Sequence, residues 1–155
     1  MAKPSAVQIL EDFGEIRRHI NVIALRDLRP LGIGQKQAMI LRRLAKNPNS
    51  SLADLSRATM SDPAAVTRAI DSLEKAEWVV KAEHPTDRRR WVLALTPLGK
   101  KQIGALDEIV KSISKIMTDS LDKNELEVLA EMFGKIKTAM AKLTEGQTVV
   151  DEEEY

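Results

Sequence analysis

Two runs rich in Trp and Val, residues 78–83 and 90–96, interrupt a chain whose other apolar residues recur at helical spacing. They are joined by HPTDRR, which holds the turn formers Pro85 and Asp87. Such a pair reads as a β-hairpin. A lone hairpin is not stable by itself and must lie on helices. That requirement restricts the fold more than any other feature of the chain.

The helices before the hairpin set its position. Ile9, Phe13, Ile16, Ile20, Ile23 and Leu28 step by three, four or five, giving one helical face over residues 5–28, which Arg29-Pro30-Leu31-Gly32 ends. A second helix is expected over 35–46, with Met39, Ile40, Leu41 and Leu44 inward, stopping at Asn47-Pro48. The segment 51–58 opens with Ser51 and has Asp54 three residues on, a capping box, with Leu52, Leu55 and Ala58 inward. After Thr59-Met60-Ser61, Asp62 suits an N-cap and Pro63 the first helical position. That helix runs to about Ala76, with Val66, Ile70 and Leu73 as its buried stripe.

Beyond Thr96-Pro97 the pattern is helical again. Ile103, Leu106, Val110, Ile113 and Met117 form one stripe, and Leu126, Leu129, Phe133, Ile136, Met140 and Leu143 another. Asp122 and Glu125 cap the join. The predicted fold class is mainly α with a small β-hairpin wing, an α+β arrangement: a winged helix-turn-helix over residues 33–97, flanked by helices in 1–32 and 98–144. The long end helices carry more apolar surface than one small domain covers. The tail, 145–155, is acidic and expected to be disordered.

The net charge of +1 hides an uneven distribution. Residues 33–97 carry 11 Lys and Arg against 7 Asp and Glu, a net of +4, whereas residues 145–155 are at −5. A basic middle points to a polyanion. With no cysteine there is no disulfide, thiol nucleophile or thiolate metal site. No membrane span, secretory leader or internal repeat is expected, and the cytoplasm is the default. His19 and His84 lie in different elements without a second ligand at metal spacing, and there is no Gly-rich phosphate loop. No catalytic site, metal or cofactor is expected.

A nucleic-acid reading needs a groove-entering helix, basic groups beside it and a device that fixes register. Burying Val66, Ile70 and Leu73 turns Ala64, Thr67, Arg68 and Asp71 outward. Arg68 can reach guanine or a phosphate, and Thr67 a phosphate or a thymine methyl. The helix start, Ser61-Asp62-Pro63, presents a positive dipole end to phosphates. An ordinary surface helix with a solvated Arg fits that helix equally well. The hairpin decides between them. Arg88, Arg89 and Arg90 at its tip repel one another with no core to gain, and an Arg in a narrow minor groove gains from the negative potential there. Asp87 is expected to pair with one of the three.

The segment DRRRWVLALTPLGKK resembles the wing and following helix of MarR-type winged-helix regulators, whose pattern is roughly D-x-R, several residues, L-T-x-x-G. Asp87, Arg89, Leu95, Thr96 and Gly99 stand in those places. IGQKQAMILRRLAKNP, VTRAIDSLEKAEWVVK and SLDKNELEVLAEMF are similar to other family segments in the same order, so the resemblance covers roughly residues 5–144. It implies a homodimer on palindromic double-stranded DNA and transcriptional control, usually repression, often relieved by a small aromatic effector. By position it puts Ala64, Thr67 and Arg68 in the major groove, Arg89 in the minor groove, and Arg88 and Arg90 near phosphates. Three positions depart from the pattern. Glu77 stands where Gly is usual, Lys81 where Arg is commoner, and Gly34 where a helix-start Thr or Ser is usual. Met39, Met60, Met117 and His19 are candidates for a cavity wall, with core packing the simpler account of the Met residues. A winged-helix module that binds protein and not DNA is the alternative from another class.

Overall fold

The computed structural model describes residues 5–84 and 86–144, with Arg88, Arg89 and Arg90 described by backbone only. The acidic tail therefore lies outside the described residues. The element order is α1 (Ala6–Leu28), a 3-10 turn (Arg29–Leu31), α2 (Gln35–Lys46), α3 (Leu52–Thr59), α4 (Pro63–Lys75), β1 (Val79–His84), β2 (Asp87–Leu95), α5 (Pro97–Ser120) and α6 (Lys123–Thr144). Each predicted element is present within a few residues. Among the described residues no helix is long and apolar enough to cross a membrane.

The helix starts follow the capping residues. Ser5 Oγ accepts from Gln8 N in α1. Asp62 Oδ1 accepts from Ala65 N at 2.9 Å, with Pro63 opening α4. Asp122 and Glu125 form a reciprocal box at α6. Gly34 has no side chain to offer, so α2 keeps only half of that arrangement. Gln37 Oε1 accepts from Gly34 N at 2.7 Å, and its Nε2 donates to Ser72 Oγ on α4 at 2.9 Å.

The core gathers where α2, α3, α4 and the hairpin base converge. Ile40, Leu41, Leu55, Val66 and Leu73 are fully enclosed, and Leu28 from α1 and Leu106 from α5 join them. Burying one such side chain contributes roughly 1.5–3 kcal/mol. Three inward expectations are corrected. Met39 is 50% exposed, because the buried arc of α2 runs through Ala38, Ile40, Leu41 and Leu44 and leaves it to one side. Leu52 and Ala58 are exposed, because α3 is only 8 residues long and meets the core through Leu55 and Ser56.

The hairpin also differs from expectation. β2 begins at Asp87 and not at 90, so Arg88 and Arg89, expected in the joining turn, belong to the strand with Arg90. The register runs evenly from Val79↔Leu95 to Glu83↔Trp91, then jumps to His84↔Asp87. Arg88, Arg89 and Arg90 fill the jump. A bulge of this kind locally bends and twists the strand that carries it. At the base, Leu93 N donates to Ser50 O at 3.0 Å and ties the wing to the α2–α3 loop.

A second tie fixes the wing against α4. Helix α4 ends at Ala76, and Glu77 takes the left-handed conformation at φ 58°. Glu77 N donates to Glu74 O and Trp78 N to Leu73 O, closing the helix as a glycine would. Thr96 Oγ1 then donates to Glu77 O at 2.6 Å and accepts from Gly99 N at 3.0 Å, while Thr96 N donates to Trp78 O at 3.1 Å. Gly99 sits so close that a Cβ there would overlap the Trp78 carbonyl oxygen and lie 2.9 Å from its carbon. The Leu95-Thr96-x-x-Gly99 pattern is thus a clamp, and its tightness excludes any side chain at 99.

Gly99→Ala should therefore lower the unfolding free energy by at least ~2 kcal/mol, read in a denaturant titration. Glu77→Gly should raise it by ~0.5–1 kcal/mol, by relieving a Cβ from a left-handed position. Equal stability of the two variants would contradict the clamp.

Candidate nucleic-acid interface

The exposed face of α4 carries the residues that the pattern places there. Ala64, Thr67, Arg68 and Asp71 are exposed, while Val66, Ile70 and Leu73 are buried at 0%, 3% and 0%. Thr67 Oγ1 donates to Pro63 O at 2.8 Å, which uses its proton within the helix and leaves its methyl and lone pairs outward. Pro63 is exposed beside them, and Asp62 half-exposed. Ser61 is different. It is buried at 5%, and its hydroxyl donates to Thr59 O at 3.3 Å, so its side chain serves the turn.

That turn holds α4 in place. Met60 is left-handed at φ 51°, with Met60 N donating to Arg57 O and Ser61 N to Ser56 O. Helix α3 is locked at its other end by Ser51 and Asp54. Ser51 N and Oγ donate to Asp54 Oδ2 at 2.9 and 2.6 Å, and Asp54 N donates back to Ser51 Oγ at 3.2 Å. Arg57 Nη2 adds a bond to Asp54 Oδ1 at 2.6 Å. The Ser51 hydroxyl, its backbone N–H and the Arg57 guanidinium hold the Asp54 carboxyl down to about 2.

The wing stands beside α4. Lys81 Nζ lies 3.6 Å from Glu74 Oε2 of α4, so the commoner Arg is replaced by a residue that still spans the two elements. Asp87 opens β2, is exposed and pairs through its strand with His84. The expected brace from Asp87 to an arginine, and the reach of Arg88, Arg89 and Arg90, concern side chains outside the described residues. What the backbone gives is their place, at the outer end of the wing and on the strand that follows the turn.

A cavity of about 420 Å³ lies between α1, α2, α3 and α5, with Asn21, Leu28, Met39, Arg42, Thr59 and Ile113 among its walls. Met39 is the one of the four suggested wall residues that lines it; Met60, Met117 and His19 do not. Arg42 Nε donates to Asp107 Oδ1 at 3.3 Å, and Gln35 Nε2 to Asn21 Oδ1 at 3.2 Å, so polar ties cross between the winged part and the end helices. Sequence reasoning missed both ties, because neither has a local spacing signal.

The helix pair, its turn and the clamped hairpin define a winged helix-turn-helix protein. Residues 33–91 match the model of the MarR family. A putative transcriptional regulatory protein for the hcr operon of Thauera aromatica is 31% identical over 46% of this chain and 43% of its own length, so the chain spans under half of that relative. The HTH-type transcriptional regulator BilQ of Clostridioides difficile is 27% identical over 81% of this chain and 86% of its own. Among solved structures, a MarR protein from Peptoclostridium difficile superposes with a TM-score of 0.80 at 25% identity, covering 92% of this chain and 93% of that one. A mutant MarR from E. coli, complexed with operator DNA, shares the fold at 21% identity and a TM-score of 0.71, covering 81% and 91%. The likeness to the MarR family is carried in sequence by residues 33–91, and the fold of the whole chain is that of solved MarR proteins.

The depressed Asp54 carboxyl gives a pH prediction. Its ordinary value is 3.8 and its folded value about 2, so its contribution is complete above about pH 4 and is lost as pH falls toward 2. The wild-type chain should lose thermal stability more steeply than Asp54→Asn across that window. Parallel melting curves from pH 5 to pH 2 would exclude a role for the ionised cap.

Proposed function

We propose that the chain is a dimeric, sequence-specific DNA-binding transcriptional regulator, acting as a repressor. The observation that carries this reading is the joint placement of the exposed α4 face and the arginine-bearing outer end of a wing clamped to the same helix. Helix α4 enters the major groove with Ala64, Thr67 and Arg68 toward base edges, while Pro63, Asp62 and the backbone at Ser61 approach phosphates. Arg89 enters the adjacent minor groove, and Arg88 and Arg90 meet its flanking phosphates. The E. coli MarR complex with operator DNA, of the same fold, supports the DNA assignment.

The homodimer is supported by what the fold leaves uncovered. Val7, Ile9, Leu10 and Ile16 of α1 and Met132, Ile136, Met140 and Leu143 of α6 are exposed, and Phe13 meets Phe133 at 5.2 Å between the two helices. Isolated helices do not leave so long an apolar stripe to water without a partner. In this reading residues 1–32 and 98–144 form the dimer region and 33–97 reads DNA, so two α4 helices address a palindrome with half-sites about one helical turn apart (~10 bp). The cavity between α1, α2 and α5 would receive a small aromatic effector that alters the angle between the two regions. Cytoplasmic placement follows from the DNA target.

The test is binding to a duplex carrying the region upstream of the chain's own gene, across a salt series. Affinity should fall steeply with salt, as phosphate contacts release counterions. Arg89→Ala should weaken binding by at least ~1 kcal/mol and leave the fold intact by circular dichroism. No binding at low salt would favour a protein-binding winged module, and unchanged affinity of Arg89→Ala would remove that residue's role.

A further inference from the structure

Two elements of one domain that enter adjacent grooves must straddle the backbone strand between those grooves. In this chain the space between α4 and the wing is a cleft of about 110 Å³, lined by Leu52, Thr67, Asp71, Lys81, Trp91 and Leu93 among others. Its composition is unusual for a face that meets a polyanion. Leu93 is buried at 4% in the core, and Trp91, two residues further along the same strand face, is 64% exposed. The pairing Glu83↔Trp91 is the last regular one before the register jump that holds the three arginines. Trp91 is thus placed where the wing leaves the core, between the outward Thr67 and Asp71 of α4 and the arginine segment.

A tryptophan left this exposed has no folding reason to be there. Moving an indole from water onto a partner surface releases a large apolar area, and its Nε1–H seeks an acceptor. A sugar–phosphate strand offers both, an apolar deoxyribose face and phosphate oxygens. Lys81 beside it supplies a cation. Asp71 is the acid in the cleft. Its carboxylate repels phosphate but accepts from a cytosine amino group, which suits the side of the cleft nearer the bases.

We propose that Trp91 is a further DNA-contact residue, packing its indole against the deoxyribose-phosphate strand that runs between the major and minor grooves. The proposal rests on the DNA-binding reading above and deepens it, by assigning a contact that is apolar and independent of base sequence. Because it neutralises no phosphate, it adds affinity without adding to the salt dependence.

The test uses the full chain and a mixed-sequence duplex at low salt, since a backbone contact does not need the operator. Trp91→Ala should weaken binding about five- to tenfold with the slope against salt unchanged, and Trp91→Phe should keep most of the affinity. The side chain is exposed, so the melting temperature should hold. The chain has two tryptophans, and Trp78→Phe leaves Trp91 as the sole indole. Its emission should change on adding duplex. Wild-type affinity in Trp91→Ala, or unaltered emission in Trp78→Phe, would overturn the contact while the regulator reading stands. A loss accompanied by a shallower salt slope would also overturn it, because the effect would then act through the neighbouring cations. No binding by the wild-type chain would bring down the regulator reading and this contact together.

Discussion

The hydroxyl of Thr96 holds the wing to α4, and most of the molecule's geometry follows from it. It donates to the carbonyl of Glu77, which ends the α4 turn, and accepts from Gly99 N in the first turn of α5. Three elements are therefore joined at one oxygen. The approach is close enough that residue 99 can carry no side chain, and close enough that Glu77 must take a left-handed conformation to bring its carbonyl into line. Strain at one residue is offset by three hydrogen bonds at its neighbours. The wing then stands at a fixed angle beside α4, which a two-stranded hairpin on its own could not maintain.

Around this joint the chain separates into surfaces with different physical demands. The core is small and drawn from short helices, with Leu28 and Leu106 contributed by the long ones. The long helices spend little of their apolar surface on that core. Their remaining stripe is contiguous with the cavity, so any partner helix packed on it lies near whatever occupies the cavity. Arg42–Asp107 and Gln35–Asn21 are the polar links across that boundary.

Much of this was legible in the residues because the signals were local. Capping boxes at Ser51/Asp54 and Asp122/Glu125, the Asp62-Pro63 start and the 3.6-residue stripes located the helices within a residue or two. The outward set on α4 followed from its buried stripe by geometry alone. What failed to show depended on contacts far apart in sequence. Leu52 and Ala58 looked inward by period, but a helix of two turns presents only Leu55 and Ser56 to a core already filled by others. Met39, read both as core and as a candidate cavity wall, lines the cavity. Arg88 and Arg89 looked like part of a loop because turn formers precede them, yet the strand reaches past Trp91 and takes them in with a register jump. Glu77 was the exception, a long-range joint announced by a local anomaly.

Helix α4 is bounded at both ends by left-handed turns, with the Asp62 carboxylate capping its start. Left-handed Met60 precedes it and left-handed Glu77 follows it, each completing a hydrogen-bonded turn that asks nothing of the helix's outer side chains. Its docking is set by Val66, Ile70 and Leu73 from beneath. The outer row, Ala64, Arg68 and Asp71, therefore carries no structural duty, and Thr67 only a bond to its own helix. Such a row can be rewritten without moving the helix that bears it. Relatives sharing this frame are free to differ along that row while keeping the same placement of the helix.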